Sequence, residues 1–215
     1  MRNCFIPIAI CFVSLYALTG CKSAYYGTWE KLGYEKRDIL AERVEEASDD
    51  QKEAKKQFKD ALAQFQSVVK VDGGELESKY KKLKGELEDS EDIAASVKKR
   101  IKSVESVAAD LFAEWKKELD QYNDAGLRRS SEQQLAETRA QYSRLVTAMK
   151  SAGSKMEPVL KVFRDQVLFL KHNLNARAIA SLRNTVVELE TDVAALIRDM
   201  DKSIAEADAF IKGLE

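Results

Sequence analysis

The chain has few of the residues that metal sites and disulfides require. Among its 215 residues there are three cysteines and one histidine, His172. Cys4 and Cys11 lie in the apolar N-terminal segment at residues 4–18, and Cys21 lies three positions after it. If this segment is removed and Cys21 is modified, no thiol remains for a disulfide or for a zinc or iron–sulfur site. We therefore expect packing alone to stabilise the fold.

The single histidine also limits the enzyme chemistry open to the chain. A di-iron site in a helical bundle needs Glu-x-x-His, but Phe169 stands where the glutamate would be. The motifs His-Glu-x-x-His and Gly-x-x-x-x-Gly-Lys-Ser/Thr are absent. A Ser-His-Asp triad would have to use His172, and nothing nearby presents a nucleophile on a strained turn. We expect no enzyme, no metal, and no cofactor apart from a covalent lipid.

The chain also lacks an excess of either charge. Lys and Arg number 35 against 36 Asp and Glu, a net charge of −1, so nothing favours nucleic-acid binding. The charged residues, 33% of the chain, are mixed in sign, which is typical of long solvated helical surfaces. With 2 prolines and 9 glycines, the composition predicts an all-α protein with long helices.

The N-terminus is similar to a bacterial lipoprotein signal. Residues 4–18 form an almost entirely apolar run of about fifteen residues, shorter than a membrane-spanning helix. The run ends in Leu18-Thr19-Gly20-Cys21. In such signals the cysteine thiolate takes diacylglycerol, a peptidase cuts before it, and the new amine is acylated, for example with palmitate. An ordinary secretory signal with a chance cysteine, or an uncleaved anchor, is the alternative.

This resemblance divides the chain into a signal peptide at 1–20, a lipidated aromatic tether at 21–37 and a helical bundle domain at 38–215. Lys22, and not aspartate, follows the cysteine, which in enterobacteria-like systems favours the outer membrane over the inner one. The predicted location is the outer membrane, facing the periplasm. The tether aromatics suit either the lipid headgroup zone or the bottom of the bundle; they are Tyr25, Tyr26, Trp29 and Tyr34.

Apolar residues recur at alternating steps of four and three along four long segments. This heptad pattern predicts helices whose apolar stripes bury one another. Gln51 and Ser90 form polar layers in the first two stripes, and Leu119 lies one place off the register. The four stripes run over Leu40–Val68, Leu76–Tyr122, Leu135–Leu170 and Leu182–Leu214.

Three connections separate the predicted helices. Asp72-Gly73-Gly74 predicts a tight turn, and Asn123–Gly126 ends the second helix, with Ser130 or Ser131 as the next N-cap. We expect Pro158 to kink the third helix without reversing it, although Ser154-x-x-Glu157 resembles a capping box. Lys171–Asn175 is the predicted third turn; the alternative is one very long helix from Ser131 onward.

Four such helices pack best as an elongated antiparallel coiled-coil-like bundle with up-down-up-down order. Because the chain leaves the membrane at Cys21, the first and third turns would face away from it, at the end of a rod of roughly 50–70 Å. That end is the candidate interaction surface for an envelope protein or peptidoglycan; an ordinary solvated helix face is the alternative. Its residues are Gly73, Gly74, Lys81, Lys82, His172, Asn173, Asn175 and Arg177.

Two stretches, Tyr34–Leu40 and Phe169–Leu182, resemble a family of proteobacterial lipoproteins known only as a domain of unknown function. The resemblance implies a helical envelope lipoprotein and transfers no activity. We expect a non-enzymatic scaffold or adaptor in envelope maintenance, bound to the membrane through its lipid. The alternative is a bundle that carries a lipid-like amphiphile, since small residues occur in the stripes: Ala47, Ala54, Ala94 and Ala152. The oligomeric state stays open.

Overall fold

The computed structural model describes residues 35–70 and 75–214, which form four long helices and, within those ranges, no strand. Their lengths of 34, 43, 48 and 39 residues correspond to about 50–70 Å each. The predicted all-α fold is confirmed. The helices are α1 (Lys36–Val69), α2 (Leu76–Glu118, followed by a 3-10 turn at Leu119–Gln121), α3 (Ala125–His172) and α4 (Ala176–Leu214).

The helices form a ring in chain order. α1 packs on α2, α2 on α3, α3 on α4, and α4 returns to α1. Inside this ring Phe65 of α1 meets Phe163 of α3, with ring centroids 6.0 Å apart and planes at 84°. Because short connections reverse the chain each time, the start of α1, the α2–α3 connection and the end of α4 share one end. We call this the proximal end and the opposite one the distal end.

One continuous apolar core joins all four helices. The stripe of α1 is buried at every predicted position, and the stripe of α3 is buried except at Tyr142, which is half-buried. Fully burying a large apolar side chain contributes about 1.5–3 kcal/mol, so the many such residues here dominate the stability. The largest among them are Phe58, Phe65, Phe163 and Phe210.

The predicted start of α3 was wrong. Neither Ser130 nor Ser131 caps it; the N-cap is Asp124, whose Oδ1 accepts the backbone N–H groups of Gly126 at 2.6 Å and Leu127 at 2.9 Å. Because an aspartate there satisfies N–H groups that a helix start leaves unpaired, α3 begins six residues before Ser131, and Gly126 lies within the helix.

The end of α2 explains two further differences from the predicted stripe. The α-helix stops at Glu118, and the tighter turn that follows rotates Leu119 into the core, where it is buried. Tyr122, which the period placed on the buried stripe, is 42% exposed because the helix has already ended. Ser131 is buried instead, and its Oγ accepts the indole N–H of Trp115 at 2.8 Å.

α3 runs unbroken past Pro158, so the predicted continuity of this helix is confirmed. Ser154, which resembled the start of a capping box, does not cap a helix: its Oγ donates to the carbonyl of Ser151 at 2.9 Å, a contact within α3. The turn after His172 is confirmed, and a single helix from Ser131 onward is excluded. The expected turn at residues 72–74 and residues 21–34 of the tether lie outside the described residues. Lys36 and Arg37, the last two residues assigned to the tether, belong to α1.

Near the C-terminus of α4 the buried stripe lies one residue earlier than predicted at two positions. Ser203 and Phe210 are buried, whereas the predicted Ile204 and Ile211 are only partly buried. Alternating steps of three and four from the buried Met200 lead to Ser203, Ala207 and Phe210, so the heptad repeat continues to this end of the helix. The predicted stripe left that repeat because Ile204 is more apolar than Ser203.

Both predicted polar layers are buried, but they differ in hydrogen bonding. The Oγ of Ser90 donates to the carbonyl of Glu86 at 2.6 Å. Gln51 is fully buried, and its amide has no hydrogen-bond partner among residues 35–70 and 75–214. Burying an unpaired amide costs free energy. Polar layers of this kind can instead fix the register in which helices pair.

We predict that Gln51→Leu raises the free energy of unfolding by about 1 kcal/mol, since it removes a buried unpaired amide and adds apolar contact. Urea denaturation monitored by circular dichroism measures the change. Gln57→Leu is the matched control, because the Gln57 amide donates to Glu86 Oε2 at 2.8 Å and this bond would be lost. Equal gains in both variants would contradict the prediction.

Tyr142 ties three helices together near the proximal end. Its ring lies 5.4 Å from that of Phe112 and 6.3 Å from that of Phe210. Burial, with the charge of Glu105 nearby, raises the pKa of Tyr142 to about 12. The folded state therefore favours the neutral phenol. The associated stability is complete below pH 10, the ordinary pKa of tyrosine, and is lost as the pH rises from about 10 to 12.

We predict that Tyr142→Phe melts at a temperature less sensitive to pH between about 9 and 11.5 than the parent chain does. Thermal unfolding followed by circular dichroism at these pH values tests this. Deprotonation of lysines affects both chains alike, so the difference between them isolates the phenol. Tyr122→Phe, at an exposed tyrosine, should keep the pH dependence of the parent; a loss of pH sensitivity in both variants would refute the assignment.

Candidate functional site: the distal surface

The distal end of the bundle is built by two asparagines between α3 and α4. The side-chain amide of Asn173 donates to the carbonyl of Phe169 at 2.9 Å, and its backbone N–H donates to the carbonyl of Leu170 at 3.2 Å. These bonds satisfy carbonyls that the last turn of a helix leaves unpaired. Asn173 therefore acts as a structural C-cap and is itself half-buried.

Asn175 begins α4 in the same way. Its Oδ1 accepts the backbone N–H of Ala178 at 3.0 Å, and its carbonyl accepts the N–H of Ile179 at 3.2 Å. This is the N-cap arrangement that asparagine favours. Both asparagines of the predicted surface thus shape the turn, and this role accounts for their position without any ligand.

Three cationic or ionisable side chains surround this turn. Lys171 and His172 end α3, and Arg177 lies in the first turn of α4; all three are exposed. At the C-terminus of a helix, a cation such as Lys171 interacts favourably with the helix dipole. These residues are therefore compatible with the fold while their charged groups remain open to solvent.

Lys81 and Lys82 belong to the neighbouring helix α2, and both are exposed. The Nζ of Lys81 lies 2.7 Å from Oε1 of Glu77, and this bond raises the pKa of Lys81 and lowers that of Glu77. The pair is spaced i, i+4 on one helix, as solvated helix surfaces commonly are. The positive charge of Lys81 is thus partly balanced by the carboxylate of Glu77.

The topology relates these lysines to the turn. Arg164 contacts Glu91, and Lys150 contacts Glu105, so α3 and α2 run antiparallel. α2 begins at Leu76 and α3 ends at His172, so these two helix ends both lie at the distal end. Lys81 and Lys82, in the second turn of α2, therefore lie near the distal end of the bundle. Gly73 and Gly74 lie outside the described residues.

Sequence reasoning missed the apolar part of this end. Leu168 is 62% exposed, Phe169 41% and Leu174 38%. Leu168 and Phe169 fall between the buried stripe positions Val167 and Leu170, and this off-register placement was the signal that could have identified them. We define the distal surface as these three apolar residues with the three basic ones: Leu168, Phe169, Leu174, Lys171, His172 and Arg177.

The charge of this region differs from that of the rest of the bundle. Residues 161–183 contain five Lys and Arg and a single acidic residue, Asp165. Residues 188–208 of α4 contain seven Asp and Glu against two Lys and Arg. The near-neutral net charge therefore hides a basic distal end. Exposed cations beside exposed apolar side chains can bind a surface that is both anionic and apolar.

Within residues 35–70 and 75–214, no helix has a stretch that is both long enough and apolar enough to span a bilayer. Within the same ranges, His, Cys, Asp and Glu side chains do not gather in threes as a metal site would require. The predicted lipidation residue Cys21 and the predicted signal residues Leu18, Thr19 and Gly20 lie before the first described residue.

We predict that Asn175→Ala lowers the free energy of unfolding by about 1 kcal/mol, because it removes the N-cap of α4. Amide hydrogen exchange at Ala178 and Ile179 should accelerate more than exchange in the middle of α4. Asn175→Asp keeps an acceptor at the same place and should restore most of the protection. An alanine variant with the exchange rates of the parent chain would show that this cap contributes nothing.

Comparison with known proteins adds a family and no activity. No curated protein and no solved structure is significantly similar to this chain. A family model described as "Protein of unknown function (DUF2959)" matches residues 25–214. The match covers all four helices and begins ten residues before the first described one. The chain therefore belongs to this family of unknown function.

Proposed function

We propose that the protein is a lipid-anchored, non-enzymatic scaffold of the bacterial cell envelope. It is attached through Cys21 to the outer membrane, faces the periplasm, and presents its distal surface to a partner. The anchor rests on the resemblance of Leu18–Cys21 to a lipoprotein signal. The scaffold role rests on the shape and polarity of the bundle.

The observation that carries this proposal is the placement of the chain ends. The Nζ of Lys36, at the start of α1, lies 2.5 Å from Oε1 of Glu114, near the end of α2. The chain therefore enters the bundle at the proximal end. Cys21 precedes Lys36 by only fifteen residues. A lipid on Cys21 would hold the proximal end near the membrane and direct the distal surface about 50–70 Å away.

The packing of the core favours a scaffold over an amphiphile carrier. Ala47, Ala54 and Ala152 belong to the same continuous core cluster as the large buried side chains. Phe58, Phe65 and Phe163 are 0% exposed within that cluster. Large side chains therefore occupy the volume that the small ones leave, as in other close-packed protein interiors.

We predict that Cys21→Ser abolishes lipidation. In cells fed a labelled fatty acid, the variant should carry no label and should remain at the size of the uncleaved precursor. Cys11→Ser is the matched control: it replaces another cysteine of the same N-terminal segment and should leave both labelling and processing intact. Fatty-acid label that persists in Cys21→Ser, or globomycin treatment that leaves the size of the parent protein unchanged, would refute the anchor.

The scaffold role has its own test. Photocrosslinking residues placed at Leu168 and Leu174 should give a discrete adduct in intact cells, because both are exposed residues of the distal surface. The same probe at Leu127 and Lys212, near the proximal end, should not give that adduct. Adducts confined to Leu127 and Lys212 would place the interacting end at the membrane and contradict the proposed orientation.

A further inference from the structure

We propose that the distal surface binds the surface of a second, anionic lipid bilayer, so that the protein bridges two membranes. This inference rests on the proposed function for its first attachment, the lipid on Cys21. The second attachment is a property of the folded bundle and can be tested without the anchor.

The apolar side chains of the distal surface have the composition of a membrane contact. Leu168 and Phe169 occupy the last full turn of α3, and Leu174 lies in the turn that follows. All three are more than a third exposed, although one continuous core accounts for most large apolar residues of the described chain. At the end of a helical hairpin such side chains can enter the headgroup zone while the backbone stays outside it.

The basic side chains supply the second part of such a contact. Lys171, His172 and Arg177 lie within three residues of Leu174. Asp165 is the single acidic residue between positions 161 and 183. Clusters of Lys and Arg beside apolar residues bind anionic lipid headgroups, because each cation near the surface is attracted to its negative potential. Lys82, in the second turn of α2, is exposed near the same end of the bundle and can add to this attraction.

The size of the surface favours a bilayer over a folded protein partner. Stable protein–protein interfaces bury about 1,200–2,000 Å² in total, an area that three apolar residues at the tip of a hairpin do not provide. A bilayer requires no shape complementarity. Weak contacts also suffice when several anchored copies face the same surface, since the combined attachment is then much stronger than each single one.

The geometry selects a second bilayer and not the one that holds the lipid. The chain enters the bundle at the proximal end, where Lys36 meets Glu114. The distal surface lies at the other end of helices that are about 50–70 Å long. An upright bundle therefore holds its apolar tip away from the membrane of its own anchor and towards whatever surface lies opposite.

The first experiment measures vesicle binding by residues 22–215, prepared without lipid; the continuous core of this segment lies within residues 35–214. We expect binding to vesicles with about one-third phosphatidylglycerol to be at least tenfold stronger than to pure phosphatidylcholine vesicles, and to weaken with salt. The double variant Leu168→Ser/Phe169→Ser should lose about tenfold in affinity for the anionic vesicles. Lys171→Glu/Arg177→Glu should lose the preference for anionic lipid.

Matched controls exist on the same bundle. Leu127 is 61% exposed at the proximal end and Val187 is 63% exposed on α4, against 62% for Leu168. Leu127→Ser and Val187→Ser remove similar apolar surface elsewhere and should bind vesicles as the parent does. Equal losses in these controls, or no binding by the parent chain, would overturn the inference. So would a dimer in sedimentation that the Leu168→Ser/Phe169→Ser variant abolishes while vesicle binding is unchanged.

The second experiment uses the lipidated full protein, inserted through its anchor into one set of vesicles. A second set of anionic vesicles with a different dye should be drawn to the first, as measured by energy transfer between the dyes. Lack of transfer, with tip-dependent binding by the lipid-free chain, would mean that the tip contacts only the membrane of its own anchor, and would overturn the bridge. Failure of Cys21→Ser to change lipidation would instead refute the proposed anchor and leave the vesicle-binding result standing.

Discussion

The structure depends on the mutual burial of four apolar stripes. If Cys21 is lipidated, the mature chain has no disulfide, so the apolar core that joins α1 to α4 supplies the stability. The period of the stripes also sets the antiparallel ring, since each helix must bury two neighbouring faces. Surface ion pairs such as Lys81–Glu77 are highly exposed, and pairs of this kind contribute little.

The sequence predicted the helices because hydrophobic period is a property of many residues at once. A single misplaced residue, such as Leu119, does not destroy a pattern carried by a whole helix. Helix ends depend on single side chains, and there prediction failed: Asp124 begins α3 with two hydrogen bonds, whereas the serines further along looked equally suitable. The end of the α4 stripe was misassigned for a related reason, because a single apolar residue, Ile204, drew the predicted stripe away from the heptad steps that lead from Met200 to Ser203 and Phe210.

The distal end was predicted in part for the same physical reasons. Topology placed the lysines of α2 at the same end of the bundle as the α3–α4 turn, because antiparallel helices with short connections leave few alternatives. The roles of Asn173 and Asn175 follow from local capping bonds that sequence spacing suggests but does not specify. The exposed Leu168 and Phe169 were missed, since adjacent apolar residues beside a buried stripe resemble the edge of that stripe until exposure is measured.

The exposed apolar residues of the distal surface and the unpaired amide of Gln51 both lower the stability of the fold locally. The extensive apolar core offsets these local costs. Gln51 places a polar group inside the bundle, and Leu168 and Phe169 place apolar groups outside it. Neither is required by the heptad pattern that specifies the fold. Departures from that pattern are the positions at which a helical bundle can fix the register of its helices or contact another surface. The distal surface contains two such positions, Leu168 and Phe169, at the end of the bundle opposite to the point where the chain enters.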